Sequence, residues 1–164
     1  MWSRRRLLAT ALAAAPPLAG CGFAPVYGSG GDGVALRGAI RPAEPRTDMT
    51  FTFVQRFEER LGRPETPRYE LTYALATERA ALAIDRSDDI TRLTVEGRLD
   101  WRLLPEGGGA PVLRGSESAF ASYSAPDSTI ATLASRRDAE RRLAIILADK
   151  VVTRLLGAAS TLAQ

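Results

Sequence analysis

The sequence contains no histidine, one cysteine and a single lysine, Lys150. These shortages exclude a good deal of chemistry. Without histidine there is no imidazole for a Ser-His-Asp relay and no nitrogen ligand for zinc. One cysteine cannot close an intramolecular disulfide, whatever the redox state of the compartment. Carboxylates, tyrosines, hydroxyls and Lys150 are what remain, and no paired acidic motif on adjacent strand ends supports a carboxylate hydrolase. The composition therefore points away from an enzyme, and no metal site or catalytic residue is expected.

What is present begins with three zones at the N-terminus. Arg4, Arg5 and Arg6 form a positive opening, Leu7 to Ala15 an uncharged stretch, and Leu18-Ala19-Gly20 brings small residues up to Cys21. This is the order an export signal needs. The apolar part falls short of the roughly 20 residues that span a bilayer as a helix. Leu18-Ala19-Gly20-Cys21 resembles the bacterial lipobox, in which the cysteine thiol takes a diacylglycerol and cleavage falls between Gly20 and Cys21. Two or more acyl chains hold a protein durably on a membrane, at about 0.8 kcal/mol per buried CH₂, where one chain does not. The only cofactor-like group expected is thus a covalent lipid on Cys21. Ser3 to Leu8 also looks like a twin-arginine signal, but arginine pairs occur in plain signals too, so the export route stays open. Gly22, rather than Asp, follows the cysteine; by resemblance to Gram-negative sorting this favours the outer membrane.

Taking residues 1–20 from 164 leaves 144, enough for one domain with one core. The three signal arginines leave with no acid, so 19 basic residues then face 19 acidic ones. The sequence pI of about 9.5 is therefore no argument for a nucleic-acid partner.

Residues 21–33 are rich in glycine and proline and read as a lipidated tether, in which Phe23, Pro25, Val26 and Tyr27 are available to dock. The domain is expected over 34–157, with 158–164 as a tail. Val34 to Ile40 reads as a first strand, ended by Arg41-Pro42 and Pro45. Thr47 or Asp48 caps a helix whose apolar stripe is Phe53, Phe57 and Leu61, with Val54 beside it and Gly62 and Pro64 stopping it. Arg56, Glu58, Glu59 and Arg60 fill its other side. In Tyr69 to Ile84 the apolar positions switch from odd to even, which predicts a bulge near Thr77 to Arg79.

Ile90 to Leu103 alternates cleanly. Leu93, Val95, Leu99, Trp101 and Leu103 point one way, Arg92, Thr94, Glu96, Arg98, Asp100 and Arg102 the other. Pro105 to Gly109 turns the chain into an antiparallel partner over Val112 to Tyr123. A long helix from about Ser128 to Leu156 follows, capped by Asp127 or Ser128, with Ser135 and Asp138 spaced as a second start. Its stripe is Leu143, Leu147, Val151 and Leu155, supported by Ala139 and Ile146, and Gly157 ends it. The order β-α-β-β-β-α predicts an α+β two-layer sandwich, two helices on one face of a mainly antiparallel four-stranded sheet.

Two segments carry a family resemblance. Cys21-Gly22-Phe23-Ala24-Pro25-Val26-Tyr27-Gly28 resembles the C-G-F-x-P-L-Y-G start of the LPS-assembly lipoprotein family LptE, with Val26 where Leu is usual. Ala131 to Arg142 resembles that family's A-x-L-A-x-R-x-D-A-E-R-R run. The resemblance implies a lipoprotein anchored on the periplasmic side of the outer membrane. It further implies that the domain plugs the lumen of an LptD-type β-barrel, supports barrel assembly and assists lipopolysaccharide transport to the surface. The competing reading is a periplasm-facing, lipid-binding lipoprotein serving another envelope transporter.

Two basic groups are candidates for barrel or lipid contact. Arg92, Arg98 and Arg102 share one strand face, where guanidinium groups suit phosphates or carboxylates, although Glu96 and Asp100 interleave and could neutralise them. Arg136, Arg137, Arg141 and Arg142 form a denser set on the long helix, either a contact surface or a face laced with i, i+4 pairs such as Asp138 with Arg142. Gly107-Gly108-Gly109 lacks the Lys-Ser/Thr and helix of a phosphate loop and reads as a hairpin tip.

Overall fold

The computed structural model describes residues 28, 31–84, 90–124 and 129–162. The export segment, Gly20, Cys21, the residues Phe23 to Tyr27 and the expected cap at Asp127 or Ser128 lie outside them. Strands β1 (Ile40–Pro42), β2 (Tyr69–Ile84), β3 (Ile90–Pro105) and β4 (Leu113–Ser124) make one sheet in the order β1-β2-β3-β4. β1 runs parallel to β2 and the other two pairs are antiparallel. Helices α1 (Asp48–Leu61) and α2 (Thr129–Gly157) pack together on one face, completing the expected α+β two-layer sandwich.

The core follows from period 2 meeting period 3.6. Odd-numbered side chains of β2, β3 and β4 face the helices, and Leu71, Val95, Leu99, Trp101, Leu103, Ala121 and Tyr123 are buried there. From α1 come Phe53, Phe57 and Leu61, all buried, with the Phe53 ring 4.9 Å from that of Tyr73. Thr47 caps α1 through a reciprocal bond with Thr50, and Gly62 ends it at φ 83. α2 buries two four-residue columns, Ala139-Leu143-Leu147-Val151-Leu155 and Ala144-Ala148-Val152. The second column takes the place expected for Ile146, which is 39% exposed.

Several boundaries differ from the sequence reading, each for a local reason. The first strand is not Val34 to Ile40. Asp32–Leu36 is a 3₁₀ turn, and Gly38 at φ 66 reverses the chain so that pairing begins only at Ile40. A Cβ at Gly38 would also sit 3.1 Å from the Arg63 carbonyl oxygen. Pro42 ends β1 inside the strand, which an edge strand tolerates because the lost N–H is not needed by a second neighbour.

The β2–β3 register is continuous through Thr77, Glu78 and Arg79; the irregularities lie between Ala81 and Ile84. Ala80 is simply exposed on the far face, a small apolar side chain for which a wet position costs little. Ser135 and Asp138 mark no second helix start, because α2 is continuous and Asp138 instead bonds Arg141 and Arg142. Gly33 is buried, so the fold reaches into the segment read as tether. Nor is 158–162 a free tail. Ala159–Leu162 is a further turn of helix, α3, with Ala159 and Leu162 in the core and Tyr69 Oη donating to the Leu162 carbonyl at 2.8 Å.

Candidate partner-binding surface

One face of the sheet carries no second layer of described residues. Even-numbered residues of three strands form it, in rungs set by the register. Thr72, Arg102 and Arg114 share one rung, Ala74, Asp100 and Ser116 the next, then Ala76, Arg98 and Ser118, and finally Glu78, Glu96 and Phe120. β3 is the charged spine, while β2 and β4 contribute mainly alanine and serine. Phe120 is 67% exposed on this face. Thr94 and Ser122 bridge their hydroxyls at 3.1 Å near its far end.

The three strand arginines proposed from sequence do share this face, and all are exposed. Their electrostatic states differ. Arg98 grips Asp100 through two nitrogens, at 3.3 and 3.1 Å. That guanidinium, then the Ser116 hydroxyl, holds the Asp100 carboxyl below its ordinary value. Arg102 has no ion partner among the described residues and stands directly across from Arg114, a second arginine that the sequence reading did not single out. Two like charges opposite one another on adjacent strands repel. The signal was accessible, since Arg114 follows the hairpin turn at the register position facing Arg102, but it needed the turn length to be known. Arg92 likewise has no ion partner among the described residues.

The helix arginines divide in the same way. Arg136 lies 3.5 Å from Glu140, Arg141 bonds Asp138, and Arg142 Nε donates to Asp138 at 2.9 Å. Asp138 is held below the usual carboxylate range, mainly by Arg142, then by Arg141. Arg142 also donates to the Ser122 carbonyl on β4 at 3.0 Å. Arg137 is exposed and has no ion partner among the described residues. Of the four, Arg137 alone is left to face a partner.

A further cluster ties the two helices together. Asp149 on α2 accepts two bonds from Arg56, at 3.0 and 3.2 Å, and one from Arg60 at 2.7 Å. Arg56 and Arg60, which the sequence places on the side of α1 other than its apolar stripe, therefore clamp the two helices together. Among the described residues no cluster of three or more His, Cys, Asp or Glu side chains is placed to hold a metal, and no helix is long and apolar enough to cross a membrane.

A family model described as LptE, Lipopolysaccharide-assembly, matches residues 37–155. Comparison with curated protein sequences gives no match. Among solved structures the fold is similar to a protein of Caulobacter crescentus CB15 described as a lipoprotein, at 21% identity and a TM-score of 0.66, covering 79% of this chain and 96% of that one. It is also similar to rare lipoprotein B from Shewanella oneidensis, at 13% identity and a TM-score of 0.55, covering 77% and 98%. A minor lipoprotein from Acinetobacter baumannii matches at 12% identity and a TM-score of 0.53, over 72% and 88%. At these identities the likeness is one of fold.

Proposed function

The chain belongs to the LptE family of lipopolysaccharide-assembly lipoproteins, and from that premise we propose that it plugs an LptD-type outer-membrane β-barrel. It supports assembly of that barrel and assists lipopolysaccharide transport to the cell surface. Cys21 carries the lipid that holds it on the periplasmic side of the outer membrane. The family match over 37–155 carries this reading, and the surface chemistry supports it. A barrel lumen is polar, and barrels of about 22 strands enclose plugs. The open face offers such a wall alternating charges, hydroxyls and small side chains rather than one continuous apolar patch. Arg92, Arg102, Arg114 and Arg137 are exposed guanidinium groups with no ion partner among the described residues, free to meet lumenal carboxylates or lipid phosphates.

Gentle detergent extraction of the tagged, full-length protein from its own membranes tests the proposal. An LptD-type barrel is expected in the eluate, together with lipopolysaccharide, and Cys21→Ala is expected to move the protein out of the membrane fraction. An eluate with phospholipid and no barrel would favour service to another envelope transporter and end the plug reading.

A further inference from the structure

Exposed strand edges are rows of unpaired backbone donors and acceptors, and natural sheets cover, bend or charge them. Here two stretches of edge are managed. Along β4, Arg142 donates to the Ser122 carbonyl and Lys150 Nζ to the Ser118 carbonyl at 2.7 Å, with Arg154 3.4 Å from Glu117. At β1, Pro42 offers no N–H to an outer strand. The third stretch is left open. β1 covers only Tyr69 to Leu71 of β2, whose remaining length has a strand on one side alone.

The direction of the free groups can be read from the bonds at the start of β2. Tyr69 N–H donates to the Ala39 carbonyl, and the Leu71 carbonyl accepts from Ala43 N–H. Odd residues thus turn their backbone away from β3, and the two-residue period carries this on through Tyr73, Leu75, Thr77 and Arg79, over which the register is unbroken. None of these four has a backbone partner on that side among the described residues. The stretch Tyr73 to Thr77 contains no charge and no proline. Beside it lies a groove of about 650 Å³, walled by Tyr73, Leu75 and Thr77 on one side and by Thr47, Met49 and Thr50 at the start of α1 on the other.

We propose that this edge is a docking strand, and that its occupant is an extended segment of the barrel partner, added to the sheet by backbone pairing along Tyr73 to Arg79. The inference rests on the plug reading above. A row of alternating N–H and C=O groups selects an extended polypeptide before any side chain is considered. The chain's own N-terminal segment is a poor strand, because Gly22, Pro25, Gly28, Gly30 and Gly31 leave no run longer than two residues without glycine or proline. On the open face Ala74 and Ala76 leave a step beside Asp100 and Arg98. The docked segment therefore alternates, with large apolar side chains over those alanines.

The test uses the full-length lipoprotein co-expressed with its LptD-type barrel. A photo-crosslinking phenylalanine analogue at Ala76 or Thr77 is expected to form an adduct with the barrel chain. Thr77→Pro removes an outward N–H that the β2–β3 ladder does not use, and Thr77→Lys charges the edge without touching the backbone. Both are expected to keep the thermal midpoint of the isolated domain and to weaken barrel capture about tenfold. Barrel capture that is unchanged in both variants, with no barrel adduct at either position, overturns the docking strand and leaves the plug reading intact. An adduct within the chain or between two copies overturns it as well. Failure of the unmodified protein to capture any barrel overturns both.

Discussion

Replacing Gly115 by alanine probes the tightest backbone approach in the sheet. Gly115 faces Trp101 across the β3–β4 ladder. A Cβ built there falls 2.6 Å from Cζ2 of the indole, 2.8 Å from Cε2 and 3.0 Å from Nε1. The obstacle is a flat, rigid ring that is 2% exposed, so relief requires the ring or the strand to move. Forcing an extra methyl into a filled site costs about 1–3 kcal/mol. Alanine recovers about 0.5–1 kcal/mol from the lower backbone entropy of the unfolded chain. The net loss is about 1 kcal/mol, at most about 2.5, which at roughly 3 °C per kcal/mol for a domain of this size lowers the thermal midpoint by about 3–8 °C. Gly97→Ala is the matched control. Its Cβ meets the flexible ends of Leu143 and Leu147 at 3.0 to 3.3 Å, so the result should lie within about 1 kcal/mol of wild type. Thermal unfolding of the domain lacking residues 1–20 reads both, and Trp101 is its one tryptophan, so near-ultraviolet dichroism reports the ring directly. In a Trp101→Leu background the Gly115→Ala penalty should vanish. An unchanged midpoint and spectrum, or an equal penalty in that background, would refute the argument.

The helix arginines separate by a second measurement. Arg137→Glu is expected to leave the midpoint alone and weaken barrel capture. Arg142→Glu is expected to lower the midpoint, because it breaks the bonds to Asp138 and to the Ser122 carbonyl and places like charges four residues apart. Loss of stability in Arg137→Glu would assign that residue to folding. The response to pH follows from the depressed carboxyls of Asp138 and Asp100. A folded pKa below the unfolded value contributes stability that is present above about pH 4 and is lost as pH falls through the folded value. With no histidine in the chain, the midpoint should be flat from about pH 5.5 to 8. A step within that window, seen by calorimetry, would contradict this. On the alkaline side burial raises Tyr73, so its contribution is complete below about pH 10 and is lost as pH rises beyond it.

What could be read from sequence was what one period dictates. β3 shows alternation without interruption, so its faces, its partners and the placing of Arg92, Arg98 and Arg102 all followed. The caps of α1 followed from Thr47 and Gly62. What failed depended on contacts remote in sequence. Gly38 is an ordinary glycine until Leu61 and Arg63 come back beside it. Ile146 fits a four-residue stripe until the sheet dictates which side of α2 is buried. The clamp on Asp149 joins residues whose neighbours give no local hint, and the opposition of Arg102 and Arg114 needs the length of the turn between their strands. The open β2 edge belongs to the same class: sequence offers a strand whose middle, Leu71 to Thr77, carries no charge, but only the shortness of β1 turns it into an unpaired row.

The run from Ala131 to Arg142 shows how a motif can join folding and contact at adjacent positions. Ala139 has no exposed surface, and its small side chain lets α2 settle into the core. Asp138 holds Arg141 and Arg142, and Arg142 reaches on to close one carbonyl of the β4 edge. Arg136 and Glu140 pair along the helix. These charges offset one another, although Arg136 Nε is buried with no hydrogen-bond partner, so they add little to any field a partner would feel. Arg137 lies between them in sequence, but no described ion pair turns it inward. The same division runs through the sheet, where Arg98 is neutralised by Asp100 and Arg102 is not. Counting arginines therefore overstates the contact surface. Among the arginines of β3 and of this run, the groups able to meet an external anion are the ones left over once internal pairing is complete: Arg92 and Arg102 on the open sheet face and Arg137 on α2.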